Sequence, residues 1–172
     1  MKRIILYSIL ACIVVVGLLQ LVPVSFVVPV KGATRKSYDH RSFWAYPWGS
    51  SGHHKGVDIF AKKGTPVLSA TSGLVLYTGV FSKGGNVVLV MDRSLKYHYY
   101  AHLDEVHTSA FSWASAGEVL GTVGTTGNAK GKPPHLHYSI SRIFPRWTSD
   151  GGWQKRFYDD PVKRLNEVLT KK

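Results

Sequence analysis

Two contrasting patterns of apolar residues divide the chain. Apolar residues run almost unbroken over Ile4–Val22, and no charged residue lies between Arg3 and Lys31. A helix of those 19 residues would be about 28 Å long, close to the ~30 Å hydrocarbon core of a bilayer. We therefore predict a membrane-spanning N-terminal helix that closes at Pro23 and Pro29, since proline ends helices.

This apolar run also resembles a targeting segment. A cleaved signal peptide has an apolar region of roughly 7–15 residues and a cleavage site with small residues. The run here is longer, and Val30–Ala33 is a poor cleavage site. We favour an uncleaved anchor over a cleaved secreted form, and we give lipidation at Cys12 less weight because apolar residues continue beyond it.

From Gly56 onward, short runs rich in β-branched and aromatic residues alternate with glycine, serine and asparagine, which is typical of an all-β domain. We predict strands at Val57–Phe60, Pro66–Ala70, Gly73–Phe81, Asn86–Asp92, Lys96–His102, Val119–Gly124 and Leu136–Ile143. Within these, Gly73–Gly79 and Val87–Met91 are expected to be central strands buried on both faces.

One later segment has a helical pattern. Apolar residues recur at helical spacing within Asp160–Leu169, and Pro161 suits the first turn of a helix. We therefore predict a membrane anchor at residues 1–31, a linker and entry loop at 32–50, and a mostly β domain with a short C-terminal helix at 51–172.

Charge and cysteine content narrow the functional classes. The formal net charge is +12, or +10 when Lys2 and Arg3 are set aside with the anchor. Such a balance favours anionic partners, although scattered basic residues also serve solubility, and we weigh the two equally. The single cysteine, Cys12, excludes an intrachain disulfide and a cysteine-ligated zinc site, so any metal must be held by histidine and carboxylate.

The histidines provide the candidate chemistry. In a strand, residues i and i+2 share a face, so His135 and His137 should point into the same space. They either line a site or lie on a solvated face. His54 and Asp58 are separated by three residues, with Gly56 allowing a sharp turn between them, and His102 ends a predicted strand. Together these five have the composition of a catalytic zinc centre.

Several ordered motifs carry a family resemblance. The segments HKGVD, GTPVLSATSG, GGNVVLV, YYAHLDEV and GEVLGTVGTTGNAKGKPPHLHYSI resemble the LytM/lysostaphin-type zinc peptidases of the bacterial envelope, which have a duplicated-hybrid-motif fold. The resemblance extends from about residue 54 to residue 140. It implies an antiparallel β-sheet whose groove holds Zn²⁺, and metal-assisted hydrolysis of peptide bonds in peptidoglycan.

The resemblance also assigns roles by position. It implies that His54, Asp58 and His137 are the zinc ligands and that His102 and His135 are catalytic residues that do not bind the metal. We expect His135 to help deprotonate the attacking water and His102 to stabilise the tetrahedral intermediate. The loop before His54 lacks the longer arginine-bearing segment of cross-link-cleaving relatives, which leaves the substrate preference open.

Other candidate residues receive structural interpretations. His98, Tyr100 and His102 are expected to share a strand face, with His98 roughly 13 Å from His102 at ~3.3 Å per residue and therefore structural. We expect His53 to be exposed and His40 and His107 to be solvated loop residues. The remaining set comprises Trp44, Tyr46 and Trp48, for which packing is favoured over a role in the groove, and Thr126 and Asn128, which should shape a turn.

The overall prediction is a single-pass inner-membrane protein with its catalytic domain in the periplasm, which cleaves peptide cross-links of peptidoglycan. We prefer D-Ala-to-diaminopimelate bonds over glycine bridges, because a short domain without a wall-targeting module suits a thin wall. The rivals are a non-catalytic envelope protein that binds peptidoglycan or activates another hydrolase, and a nucleic-acid-binding protein, which net charge alone supports and which we do not expect. Protein partners cannot be read from the sequence.

Overall fold

The computed structural model describes residues 2–21, 24–49, 52–147 and 150–170. Its helices are α1 (Lys2–Leu21), α2 (Gly152–Lys155) and α3 (Pro161–Leu169). Its strands are β1 (Val57–Phe60), β2 (Pro66–Leu68), β3 (Gly73–Phe81), β4 (Gly85–Asp92), β5 (Lys96–Val106), β6 (Trp113–Ala114), β7 (Val119–Val123), β8 (His135–Arg142) and β9 (Tyr158–Asp159).

The strands form an antiparallel sheet with the order β1-β8-β5-β4-β3-β6. Strand β7 pairs with both β2 and β5, and β9 pairs with β8. The predicted mostly antiparallel β fold and the short C-terminal helix are therefore confirmed. The central position of β8 matters most for the site, since β8 is flanked by β1 on one side and β5 on the other.

One expectation about the sheet is wrong. The segment Gly73–Gly79 was expected to be a central strand buried on both faces, but only its Gly73 and Val75 are buried and its other residues are partly exposed. The reason is that β6 pairs only with Gly73 and Leu74, so β3 is an edge strand over the rest of its length. Strand β4 lies inside the sheet, and its Val87, Val88 and Val90 are fully buried.

The N-terminal apolar segment forms α1, which confirms the helical part of that prediction. The structure does not support the predicted transmembrane anchor, because within the described ranges no helix combines the length and apolar character of a membrane span. Pro23, expected to end the helix, lies outside the described residues.

Residues 24–49 pack onto the β domain. Val30 bridges to Val67 on β2, and the Val27 amide donates to the carbonyl of Ala70 at 2.8 Å. Val30 is 1% exposed and belongs to the hydrophobic core, against which Phe26 also packs. This segment therefore extends the sheet edge at β2 and contributes apolar surface to the core.

Helix α3 also packs against the core and hydrogen-bonds to the N-terminal segment through Tyr38 and Asn166. Asp160 caps its N-terminus by accepting hydrogen bonds from the amides of Val162 and Lys163, and Pro161 occupies the first turn. Val162 and Leu165 face inward and are buried with the core residues. The amphipathic pattern thus identified both the helix and its packed face.

Candidate metal centre and groove

A cross-strand pair forms the floor of the candidate site. The register of β1 with β8 places Asp58 directly opposite His137, and side chains so placed on one face lie within contact distance. The Nδ1 atom of His137 is 2.8 Å from Oδ1 of Asp58, and both residues are partly buried. Two separated segments of the chain therefore place a nitrogen and an oxygen ligand atom together.

His54 enters the same site from the loop before β1. Its Nδ1–H donates to the carbonyl of Ser42 at 3.0 Å, and its Nε2 lies 3.2 Å from Oδ1 of Asp58. The same Nε2 is 3.1 Å from Nδ1 of His137. Only 1% of His54 is exposed, so the packed segment at Ser42 holds this imidazole in a single orientation and tautomer.

The donor set fits a metal ion. His54, Asp58 and His137 each offer one ligand atom, and these atoms all lie within 4.8 Å of one another. Because the proton of a neutral His54 is used toward Ser42, its Nε2 presents a lone pair to the Asp58 carboxylate, an arrangement that a cation stabilises. Two imidazole nitrogens and one carboxylate oxygen match the three protein ligands of catalytic zinc sites.

The charge state of Asp58 agrees with this arrangement. Burial acts to raise the pKa of its carboxyl group. The hydrogen bond to His137 is the largest effect that opposes burial, and the pKa of Asp58 is held well below its usual range. Asp58 is therefore ionised across the physiological range and available as a ligand.

His135 lies on the same face of β8 as His137, as strand alternation predicts. Its Nδ1–H donates to the carbonyl of Pro133 at 2.8 Å, and the residue is buried. Its Nε2 is 4.0 Å from Oδ2 of Asp58. The backbone carbonyl thus fixes the tautomer of this ring and leaves Nε2 as a proton acceptor beside the candidate ligands.

His102 reaches the site through a β-bulge, which corrects the expectation that it shares a face with His98 and Tyr100. The register places Asn86 opposite Leu103 but Val88 opposite Tyr100, so one extra residue of β5 occupies this interval. His102 itself has a left-handed backbone, with φ of 65°. The bulge therefore turns His102 out of the alternation and into the groove.

The surroundings of His102 determine its tautomer and its protonation state. Its Nδ1–H donates to the carbonyl of Thr126 at 2.9 Å, and its ring centroid is 5.0 Å from that of His135. Burial, followed by repulsion from His137 and His135, lowers the pKa of His102 to about 4. The ring is therefore neutral at physiological pH, with Nε2 unprotonated.

All five predicted site residues line one groove with a volume of about 930 Å³. Aromatic side chains form much of its wall. Trp48 stacks on His54, with ring centroids 4.1 Å apart and planes 17° apart. Trp48 therefore packs, as expected, and it also lines the groove. Trp44 packs against Phe43 and His53, whereas Tyr46 is 71% exposed.

The remaining histidines lie outside the ligand cluster. His98 is buried, and its ring bonds to Asp92 and to the Tyr138 hydroxyl, which confirms its structural role. His53 is half-buried between Trp44 and Tyr46, not exposed as expected. His40 is exposed, and the partly exposed His107 lies 3.0 Å from Glu105.

The turn residues also have defined contacts. Thr126 accepts from the Asn86 amide and donates to the Leu103 carbonyl, so it shapes the turn as expected and holds the His102 bulge from both sides. Asn128 lies in a short 3-10 helix, Gly127–Ala129, and also lines the groove.

Sequence reasoning did not identify several groove residues. They are Phe60, Tyr99, Ser139, Ser141, Tyr158 and the lysines at positions 55, 83 and 132. Tyr99 lies opposite Ser139 in the β5–β8 register. Strand parity alone could have grouped Ser139 and Ser141 with His137, but placing Tyr99 beside them needs the strand order.

Comparisons with known proteins agree with this geometry. The model of the family described as peptidase family M23 matches residues 52–150. The L-Ala–D-Glu endopeptidase of Bacillus subtilis is 36% identical over 129 residues, which are 67% of this chain and 39% of that protein. The DD-carboxypeptidase/endopeptidase Mpg of Neisseria meningitidis serogroup B is 40% identical over 89 residues, which are 49% of this chain and 19% of that protein.

The fold is likewise similar to a solved peptidase structure. The catalytic domain of the antimicrobial peptidase lysostaphin from Staphylococcus simulans superposes with a TM-score of 0.59 and 27% identity, over 73% of this chain and 89% of that one. The chain thus spans nearly all of one catalytic domain but under two fifths of the length of the two curated relatives above.

Proposed function

The chain belongs to peptidase family M23, and from this premise we propose that it is a zinc-dependent endopeptidase acting on bacterial peptidoglycan outside the cytoplasmic membrane. The observation that carries the proposal is the convergence of His54, Asp58 and His137 within one groove, with ligand atoms within 4.8 Å of one another. Two separated chain segments would not be expected to bring these groups together for packing alone, because the lone pair of His54 Nε2 there meets an ionised carboxylate, which is costly without a cation.

The three converging residues are the proposed zinc ligands. Zinc held there would supply Lewis-acid chemistry that lowers the pKa of water and polarises an amide carbonyl. The hydrogen bond from His54 to the Ser42 carbonyl supports its assignment as a ligand, because such a partner fixes both the tautomer and the ring orientation.

His135 and His102 are the proposed catalytic residues. Each donates its Nδ1–H to a backbone carbonyl, so each presents an unprotonated Nε2 to the groove. We propose that His135 accepts the proton of the attacking water. Its Nε2 lies 4.0 Å from the Asp58 carboxylate and is therefore close to the proposed metal ligands. We assign to His102 the stabilisation of the oxyanion, which requires that its Nε2 first take up a proton, and either ring, once protonated, can donate to the leaving amine.

The proposed scissile bond is a peptide cross-link. The name of the Neisseria relative includes a DD-endopeptidase activity, which supports cleavage between D-residues. The name of the Bacillus relative identifies a different bond, L-Ala–D-Glu. We propose the D-Ala-to-diaminopimelate cross-link, and the products of digestion decide between the two.

Digestion of purified sacculi tests this function. The full chain with zinc should release soluble muropeptides, and mass spectrometry of those products identifies the bond that is cut. His135→Ala should keep its zinc and lose activity by about 10²–10⁴-fold, the usual contribution of a general base. A wild-type protein that binds zinc and sacculi but releases no muropeptide would contradict the enzyme proposal and favour the non-catalytic envelope protein.

A further inference from the structure

The groove has an uneven charge distribution. Among the described residues that line it, three are lysines, at positions 55, 83 and 132, and Asp58 alone is acidic. The candidate metal ligands use the Asp58 carboxylate. The remaining ionic character of the wall is therefore positive, and it increases further when a divalent cation is bound.

Lys55 lies at the His54 end of the groove. It follows His54 directly in the chain, and its Nζ atom lies 5.9 Å from the centre of the Tyr158 ring. Tyr158 also lines the groove. The Lys55 ammonium group is therefore held over the wall formed by β9 and the loop before β1.

Lys83 and Lys132 lie near the two proposed catalytic histidines. The Lys83 carbonyl accepts from the Asn128 amide at 2.9 Å, and the Lys132 amide donates to the Ala129 carbonyl at 3.0 Å. The short helix Gly127–Ala129 thus holds both lysine backbones.

Their chain neighbours contact the histidines directly. The carbonyl of Gly84, next to Lys83, accepts from the His102 amide at 2.7 Å. The carbonyl of Pro133, next to Lys132, accepts from Nδ1 of His135 at 2.8 Å. Both lysines are therefore placed, by short backbone contacts, at the rim beside the reacting groups.

No carboxylate within the described ranges forms an ion pair with any of the three lysines. Other lysines do have such partners. Lys63 is 3.0 Å from Asp104, and Lys96 is 2.9 Å from Asp159. The three groove lysines therefore carry charges that protein carboxylates leave available for a ligand.

We propose that these lysines bind carboxylate groups of the substrate, so that the groove selects anionic stem peptides over amidated stems or uncharged glycine bridges. This inference rests on the proposed function and specifies its substrate class. Carboxylates on both sides of the scissile bond would reach Lys55 at one end and the Lys83–Lys132 pair at the other. A single exposed ion pair contributes little to affinity, so the selection arises from the sum of the contacts.

Matched substrates and variants test the selection. The probes are a cross-linked muropeptide dimer with free stem carboxyls and the same dimer with those carboxyls converted to carboxamides. The double variant Lys83→Gln/Lys132→Gln removes two charges at the rim, and Lys163→Gln, on the exposed face of α3, removes one charge away from the groove. Hydrolysis rates and equilibrium binding are measured for each protein and each probe.

The wild type should cleave the free-carboxyl dimer with a kcat/KM about tenfold higher than that for the amidated dimer, mainly through KM. The double variant should lose most of this preference through a higher KM for the free-carboxyl dimer, and Lys163→Gln should retain the preference. Equal kcat/KM and equal affinity for both probes in the wild type would overturn the inference, whatever the rate. If neither dimer is cleaved, lysine-dependent binding of the free-carboxyl dimer still supports the inference, although the proposed hydrolysis has failed.

Discussion

Gly56 shows how a single residue controls the candidate metal centre. A Cβ atom at this position would collide with the Tyr138 carbonyl and would lie 2.9 Å from Cε1 of His137. The backbone between His54 and Asp58 therefore lies directly against β8, and only glycine permits that approach. This close approach allows His54 and Asp58, although only four residues apart, to face the same site.

We expect Gly56→Ala to displace His137 and weaken metal binding. Overpacking of this kind costs about 1–3 kcal/mol of folding free energy, and thermal denaturation with and without zinc measures both effects. In Gly17→Ala no atom lies within 4 Å of the new Cβ, so the thermal transition of the β domain should not change. An unchanged zinc affinity in Gly56→Ala would show that the close approach does not position His137.

At the residue scale, the sequence could predict the groups that local geometry or motif spacing brings together. The alternation of β8 places His135 and His137 on one face, and the motif resemblance supplied His54 and Asp58 as their companions. Tyr99 and the groove lysines could not be predicted in this way. Their positions depend on strand order and on loops that meet only after folding.

Strand β5 shows how one element changes the face on which a residue lies. Simple alternation places His102 in the core with His98, whereas the bulge and the left-handed backbone at His102 turn it into the groove. Left-handed backbone is unfavourable for β-branched residues and better tolerated by asparagine. Position 102 therefore requires a residue that tolerates left-handed backbone, in addition to an imidazole side chain.

Substitution at position 102 separates the two requirements. We expect His102→Val to lower the free energy of unfolding by about 1–3 kcal/mol relative to His102→Asn, because valine must adopt the strained conformation. Both variants should lose hydrolytic activity, so circular dichroism melting curves carry the comparison. Equal melting temperatures would indicate that the left-handed backbone at this position is not maintained in solution.

The seven predicted strands agree with observed strands and differ from them mainly at their ends. They could be predicted because alternating patterns and glycine turns are local signals. The two shortest strands were not predicted. Strands β6 and β9 contain two residues each, too few for a periodic pattern, and they form because β3 and β8 present free edges to them. Residues 24–31 attach to β2 for the same reason, which no local pattern indicates.

At the scale of the whole molecule, a partly buried ionic network links β5, β8 and β9. Asp159 on β9 lies 2.9 Å from Lys96 of β5 and 3.3 Å from Arg142 of β8. Burial acts to raise the pKa of Asp159, but hydrogen bonding to Lys96 and the nearby positive charges outweigh it and lower that pKa. The network joins the last strand to the centre of the sheet.

This network predicts the pH dependence of stability. Because the pKa of Asp159 is lower in the folded chain, its stabilisation is fully present above the unfolded value of about 3.9 and is lost as pH falls through the folded pKa. We expect Asp159→Asn to lower the free energy of unfolding by about 1.5–3 kcal/mol at pH 7. The difference from wild type should shrink as the pH is lowered below about 4.

Chemical denaturation at several pH values measures this difference. Asp150→Asn, which removes the same charge at an exposed position, should differ little from wild type at any pH. A wild-type advantage over Asp159→Asn that persists unchanged at pH 3 would contradict the assigned ionic role.

The fold class could be predicted at this scale because turn spacing, strand periodicity and the ordered motifs all indicate one antiparallel domain. The membrane anchor is the least supported part of the prediction. Its apolar residues do form a helix, as their composition indicates, but a helix alone does not establish a membrane span.

The metal content of the full chain tests the central claim most directly. Wild-type protein and His102→Ala should each bind about one zinc ion per chain, because His102 lies outside the proposed ligand set. His54→Ala and Asp58→Ala should bind little, since each removes one of three ligands. Zinc retained at full stoichiometry by Asp58→Ala, or lost from His102→Ala, would contradict the proposed metal centre.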